Sequence, residues 1–314
     1  MSNFIFSANV TLPVFFVIIV GYLLRRQGML NENFVKVSNT FNFKVTLPAL
    51  IFHDLSTANI KETFDIGYIL FCAAATSICF FLTWGGAKLL LKDKSLAGEF
   101  VQASFRGSAA VLGFAFIQNI YGKSEMASLM MIGAVPLYNI YSVLILTLEP
   151  DRKKRDKGRW KQVCREIVRN PIILAIFAGL AVSFLDIRFP VMVNKTIQYI
   201  AVMATPLALI GIGAGFEGKK VITKIKPTIT AGMIKLLIQP LLFLPIAAWL
   251  GYQGEKMVAL IVMLGSPTTA SCYIMAKNMK HEGVLTSSIV VFTTLFASVT
   301  LTLLIFILRS FQLI

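Results

Sequence analysis

The feature that most constrains this chain is a run of about twenty apolar residues that recurs along its whole length, separated by short connections. Twenty helical residues rise about 30 Å, the thickness of a bilayer's hydrocarbon core, so each run reads as a spanning helix. Length alone, at 314 residues, would suit two soluble domains, but composition overrules that. The chain is 56% hydrophobic and only 14% charged, with 25 Phe and a mean hydropathy of +0.75. A soluble chain keeps about a quarter of its residues charged to cover its surface. The predicted spans lie at about 4–24, 34–55, 66–90, 99–120, 126–148, 170–186, 196–216, 227–249, 257–276 and 284–308. The first, Phe4 to Leu24, is too long for the apolar part of a signal peptide. It has no basic segment before it and is followed by Arg25 and Arg26, so it reads as a retained helix.

The connections alternate between basic and nearly neutral. One side carries Arg25, Arg26, Lys36, Lys88, Lys92, Lys94, the basic residues from Arg152 to Arg169, Lys219, Lys220, Lys224, Lys226, Lys277 and Lys280, 21 in all. The other carries 6: Lys61, Lys123, Arg188, Lys195, Lys256 and Arg309. Cytoplasmic loops hold the excess of Lys and Arg, so the basic side is cytoplasmic and both termini are extracytoplasmic. A multi-pass protein of the cell membrane (inner or plasma membrane) is expected. The net charge of +15 therefore sets topology and does not point to nucleic acid. The hydrophilic loop at 150–169 reads as an anchor on anionic lipid headgroups.

The chain repeats itself. An offset of 158 lays Pro13 on Pro171, Gly21 on Gly179, Pro48 on Pro206, and Gly107-Ser108 on Gly265-Ser266. Gly and Pro in spanning helices mark kinks, unwound points or close packing, which a duplicated fold retains. Five spans per half is an odd number, so the second half enters from the opposite side, an inverted repeat. The expected fold is thus an all-α integral membrane protein of ten transmembrane helices. Residues 1–149 form the first five-helix repeat, 150–169 the basic cytoplasmic loop, and 170–314 the second, inverted repeat.

Two segments suit local unwinding near the midplane, in spans four and nine: Arg106, Gly107 and Ser108, and Gly265, Ser266, Pro267, Thr268 and Thr269. Gly relaxes the backbone and Pro removes a donor. Freed amides at half-helix N-termini attract anions. The competing reading is tight helix packing through small residues. Charges inside a membrane are costly and are functional or paired. Those within spans are all basic: Lys44, Arg106 and Lys235, with Asp54, Glu99 and Glu149 near span ends. A basic bias suits an anionic substrate; alternatively Arg106 pairs with Glu99, and Lys44 snorkels to the interface. Asn139 in the fifth span is either a substrate contact or a helix–helix hydrogen bond. His53-Asp54 reads as a proton relay or as two interfacial polar residues, and His281 as an unremarkable turn residue.

Cys72, Cys79, Cys164 and Cys272 have no paired spacing, so neither a disulfide framework nor a metal site is expected. No HExxH, GxSxG or P-loop motif occurs, and an enzyme is not expected.

Five segments, in order, resemble the auxin efflux carrier family, which includes bacterial malate and malonate carriers. They are LPALIF at Leu47–Phe52, RGSAAVLGF at Arg106–Phe114, VPLYNIYSVLIL at Val135–Leu146, RNP at Arg169–Pro171 and GSPTTASCYIMA at Gly265–Ala276. The resemblance covers essentially the whole chain. It implies the ten-helix fold shared with bile-acid symporters and sodium–proton antiporters, in which a core domain moves against a scaffold in an elevator-like motion. It also implies that broken helices four and nine cross at the substrate site. The chain departs from the family in having Ser108 where Asn is common, and from the plant exporters in having Gly107 at a proline position; Pro267 is kept. The function expected is a carrier of a small organic anion, a mono- or dicarboxylate, moving by alternating access. A sodium-coupled symporter of the bile-acid type and a non-transporting receptor are the alternatives. No cofactor is expected, the coupling ion being sodium or a proton, and the architecture is compatible with a homodimer.

Overall fold

A computed structural model of the chain describes residues 2–57, 65–109, 117, 120–121, 125–149, 169–216 and 222–314. The basic loop at 150–168, including Cys164, and the second half of span four lie outside the described residues. The described elements are helical: α1 Ser2–Arg26, α2 Glu32–Phe41, α3 Leu47–Ser56, α4 Ile66–Leu90, α5 Ala97–Phe105, α6 Glu125–Leu148 and α7 Pro171–Phe184. They continue with α8 Val191–Val202, α9 Ala204–Ala214, α10 Ile225–Met233, α11 Gln239–Trp249, α12 Glu255–Gly265, α13 Ser271–Asn278 and α14 Val284–Ser310. π-Helical turns at Asn42–Thr46 and Ile234–Ile238 join α2 to α3 and α10 to α11.

Among the described residues, five stretches are long and apolar enough to cross a membrane: Ile66–Leu90, Leu129–Leu148, Val191–Ala214, Ile225–Trp249 and Val284–Ser310. Four of the other expected spans fall short for identifiable reasons. Spans four and nine are interrupted, α7 has 14 residues after an undescribed approach, and α2–α3 carries Lys36, Asn39, Asn42 and Lys44. The offset of 158 carries the bounds of Glu32–Ser56 to 190–214 and those of Ile66–Leu90 to 224–248. Helices occupy 191–214 and Ile225–Trp249 there.

The helices sort into two packed groups. In one, α1 lies on α9, and α3 lies on α7 and α8; in the other, α4, α5 and α6 pack together, as do α10 to α12 with α14. Small residues bring α1 and α9 close. A Cβ on Gly21 would lie 2.5 Å from the Ile210 carbonyl oxygen, and one on Gly213 would overlap the carbonyl of Ile18. Such reciprocal small-residue contacts are how helices approach where lipid supplies no hydrophobic drive. α1 also touches α14, so the groups meet along a seam.

Helix starts follow local chemistry. Asn31, Asp65 and Asn170 accept backbone N–H bonds from Phe34, Tyr68 and Ile172 at 2.8, 3.0 and 2.9 Å, and Pro171 follows as the first helical residue. The α14 N-terminus is capped from another element. The buried Glu99 carboxylate on α5 accepts N–H bonds from Gly283 and Thr286, both 2.8 Å, and the Thr286 hydroxyl at 2.9 Å. Gly283 sits at φ 72°, a backbone conformation open chiefly to glycine. Glu99 is therefore not the partner of Arg106. Glu99→Gln is expected to lower stability by about 1–2 kcal/mol by discharging this cap, read as a lower thermal midpoint in detergent.

His281, expected to be an ordinary turn residue, is buried, with Nε2 2.9 Å from the Leu146 carbonyl oxygen. It packs beside Gly98, tying the α13–α14 turn to the end of α6. At the opposite end, Asp65 meets the Lys256 ammonium, which also lies 5.8 and 5.6 Å from the ring centres of Tyr68 and Tyr252. The Lys256 ammonium and then the Tyr68 amide hold the Asp65 carboxyl below its usual range. A lowered folded value stabilises above the unfolded pKa of about 4, and that gain is lost as pH falls through the folded value. Asp65→Asn should therefore lower the thermal midpoint at pH 7, and the gap from wild type should close as pH falls through the folded value.

Candidate substrate site at the helix breaks

α5 is buried along its length and stops at Phe105; Arg106 is extended, at φ −92° and ψ 127°, and helix resumes only at residue 109. α12 stops at Gly265, Ser266 is extended at φ −68° and ψ 154°, and α13 begins at Ser271. Ser266 takes that conformation because a residue before proline is pushed out of the helical region, and Pro267 follows it. The two breaks are bonded to each other. The Ser108 N–H donates to the Pro267 carbonyl at 2.9 Å, and the Thr268 hydroxyl donates to the Ala103 carbonyl at 2.7 Å. Gly107 is required at this approach, since a Cβ there would lie 2.5 Å from Ser266 Oγ and 2.9 Å from Lys235 Nζ.

Breaking a helix exposes carbonyls at its C-terminal end, and here those of Ala103, Ser104, Met263 and Leu264 find side-chain donors. Lys235 Nζ donates to the Met263 and Leu264 carbonyls at 3.0 and 2.9 Å, and the Tyr138 hydroxyl donates to Met263 at 3.0 Å. Gln239 Nε2 donates to the Ser104 carbonyl at 2.9 Å, while Gln239 Oε1 accepts from Lys235 at 3.3 Å. A helix C-terminus carries roughly half a negative charge, so two of them meeting here offset one ammonium. Lys235 sits in the π-turn Ile234–Ile238, fully buried, behind the crossing and off the cavity wall.

Arg106 is the contrasting case. Its side chain is buried, yet among the described residues Nη1 finds only the Ser142 hydroxyl at 3.4 Å and the Met275 sulfur at 3.0 Å. No carboxylate among the described residues forms an ion pair with it. It borders a cavity of about 60 Å³ along the seam between the two helix groups. Arg106, Gly107, Ser108, Asn139, Thr269 and Ser271 line one wall, and Leu50, Ile51, Asp54, Thr205 and Ala208 line the other. Thr269 and Ser271, with oxygens 3.2 Å apart, stand at the positive N-terminus of α13. Asn139 donates to its own helix at Val135 by 2.9 Å, leaving a buried Oδ1 without a hydrogen-bond partner. A water centre needs about 10–15 Å³, so the space suits a ligand of a few heavy atoms.

The structure thus gathers Arg106, Gly107, Ser108, Asn139 and Thr269 around one cavity. Gly265, Ser266, Pro267 and Thr268 build the crossing beside it without lining it, and Lys44 is exposed on its π-turn, away from the cavity. Asp54, Thr205 and Ser271 are lining residues that sequence reasoning did not assign to the site. The RG–S and GSPTT pattern locates the breaks, but which faces of α3 and α9 oppose them is set by packing. Among the described residues no group of His, Cys, Asp and Glu could hold a metal ion, and Cys72, Cys79 and Cys272 are buried free thiols.

Membrane-spanning helices around a pair of broken, cross-bonded segments define an integral membrane transporter by class. Residues 6–305 match the family model of membrane transport proteins, the auxin efflux carrier family, and the chain belongs to that family. Among similar proteins is one of Rhizobium meliloti (strain 1021) named "Putative malonate transporter", 26% identical, with 96% of each chain covered. An "Uncharacterized transporter" of Methanocaldococcus jannaschii is 21% identical, covering 94% of this chain and 96% of its own length. A "Lysosomal cholesterol signaling protein" of Mus musculus is 23% identical over 75% of this chain, which corresponds to 28% of that protein.

Proposed function

We propose that this transporter carries a small organic anion, a mono- or dicarboxylate, by alternating access across the seam between its two helix groups. The observation that carries this reading is Arg106, a buried guanidinium at a helix break, bordering a cavity and without a carboxylate partner among the described residues. Burying a charge unpaired is costly, and an incoming carboxylate offsets that cost with bidentate, charge-assisted bonds. The α13 N-terminus adds a positive dipole at the same cavity. The likeness to a protein named for malonate transport points the same way.

In this reading residues 1–149 and 170–314 are inverted five-helix repeats, ten spans in all, with broken helices four and nine at the centre. The group containing α5, α6, α12 and α13 moves as the elevator against α1, α3, α7, α8 and α9. Both termini are extracytoplasmic, and the 150–169 loop rests on anionic headgroups. The test is exchange of labelled malonate in proteoliposomes preloaded with unlabelled malonate, succinate or acetate, with and without sodium. Exchange that needs no sodium supports this reading over a sodium symporter. Carboxylate binding with no flux under any gradient would overturn transport in favour of a receptor.

A further inference from the structure

Among the described residues, Arg106 shares its cavity with one acid. Asp54, on α3, lines the wall contributed by the other helix group, so cation and carboxylate face one space from opposite sides of the seam. The two form no ion pair with each other. The carboxylate has His53 beside it on its own helix, with Nδ1 to Oδ1 at 3.8 Å. Across the cavity stand Arg106 and Tyr138. The packed helices α7 and α9 bring no titratable side chain over Pro171–Phe184 and Ala204–Ala214. α8 brings Lys195 and Tyr199, and the π-turn brings Lys44, all exposed; Arg188 and Asp186, in the turn after α7, pair with each other at 3.6 Å.

The charge count then constrains what an anion can do. Among the described residues the cavity is lined by one cation and one carboxylate, whose formal charges cancel. An anion that reaches Arg106 makes it net negative within apolar walls, a state that desolvation and like-charge repulsion disfavour. Taking a proton onto Asp54 restores neutrality for a monoanion, and removes one of the two excess charges for a dianion, without moving any other group. We propose that Asp54 is the proton-coupling residue of this carrier: one proton is bound at its carboxylate for each anion bound at Arg106, and the two cross together. The inference rests on the anion-carrier reading above. It makes transport of a monoanion electroneutral, driven by a pH gradient and indifferent to membrane potential.

The experiment is calorimetry on the purified full chain with acetate, malonate and succinate between pH 7 and 8.5, where these anions are fully ionised, in buffers of different ionisation enthalpy. Wild type should take up about one proton per anion bound, with the dissociation constant rising up to about tenfold per pH unit. Asp54→Asn should bind without proton uptake, with a pH-independent constant and tighter than wild type at pH 8.5; Asp54→Glu should restore the linkage. Anion binding to wild type without proton uptake, a count that needs no variant, overturns the proposal and leaves the anion reading standing. So does proton uptake that survives in Asp54→Asn but is lost in His53→Gln. Wild type that binds none of the three anions at any pH would remove the anion reading and this inference together.

Discussion

Arg106→Gln is expected to abolish carboxylate exchange while leaving the protein at least as stable as wild type. Truncating one member of a buried, hydrogen-bonded charge pair costs about 2–5 kcal/mol, and each 1.4 kcal/mol is tenfold. Exchange at limiting substrate should therefore fall roughly a hundredfold or more. Stability should move the other way, because the buried guanidinium has only a hydroxyl and a thioether to bond and no carboxylate in contact with it among the described residues. Removing an uncompensated buried charge relieves a cost of folding. Proteoliposome exchange and thermal unfolding in detergent, measured on the same preparation, read both effects. A variant with wild-type exchange kinetics would remove Arg106 from the substrate site.

Lys235→Met should do the reverse, with stability taking the first loss. Its ammonium satisfies the Leu264 carbonyl outright and shares Met263 with the Tyr138 hydroxyl. Without it a buried acceptor is left bare and two helix C-termini face each other with no positive charge between them. A bare buried acceptor costs about 1–3 kcal/mol, and the lost helix-end interaction adds up to about 2, for a total of roughly 1–5 kcal/mol. The thermal midpoint should drop by several degrees. Exchange should fall too, since the Ser108–Pro267 bond and the Gly107 approach depend on the same crossing. Wild-type thermal stability in this variant would show that Lys235 does not hold the helix ends. These two buried basic side chains thus separate by the sign of their effect on folding.

Much of this architecture was legible in the chain because its causes are local. Hydrophobic runs of spanning length, their basic flanks and the Gly and Pro positions that break helices act through neighbouring backbone. The extended Ser266 before Pro267 follows from three consecutive residues. The site was legible only in part. Arg106, Lys44 and Lys235 look alike as charges within apolar runs. Packing makes them an unpaired cavity cation, an exposed surface lysine and a helix-end cap. Glu99, seven residues before Arg106, was one of two readings for its partner, yet it caps a helix that begins nearly two hundred residues later in the chain.

What the amino-acid sequence determined by itself is that the chain spans a membrane, which connections carry the positive charge, and where spans four and nine must unwind. Those outcomes depend on composition, on charge order and on backbone sterics at Gly and Pro. The tertiary structure alone decided which carbonyls each buried cation meets, and that Asp54 closes the cavity opposite Arg106. Partners brought together across the seam are chosen by helix packing, and residue spacing along one helix says nothing about which face of another will oppose it.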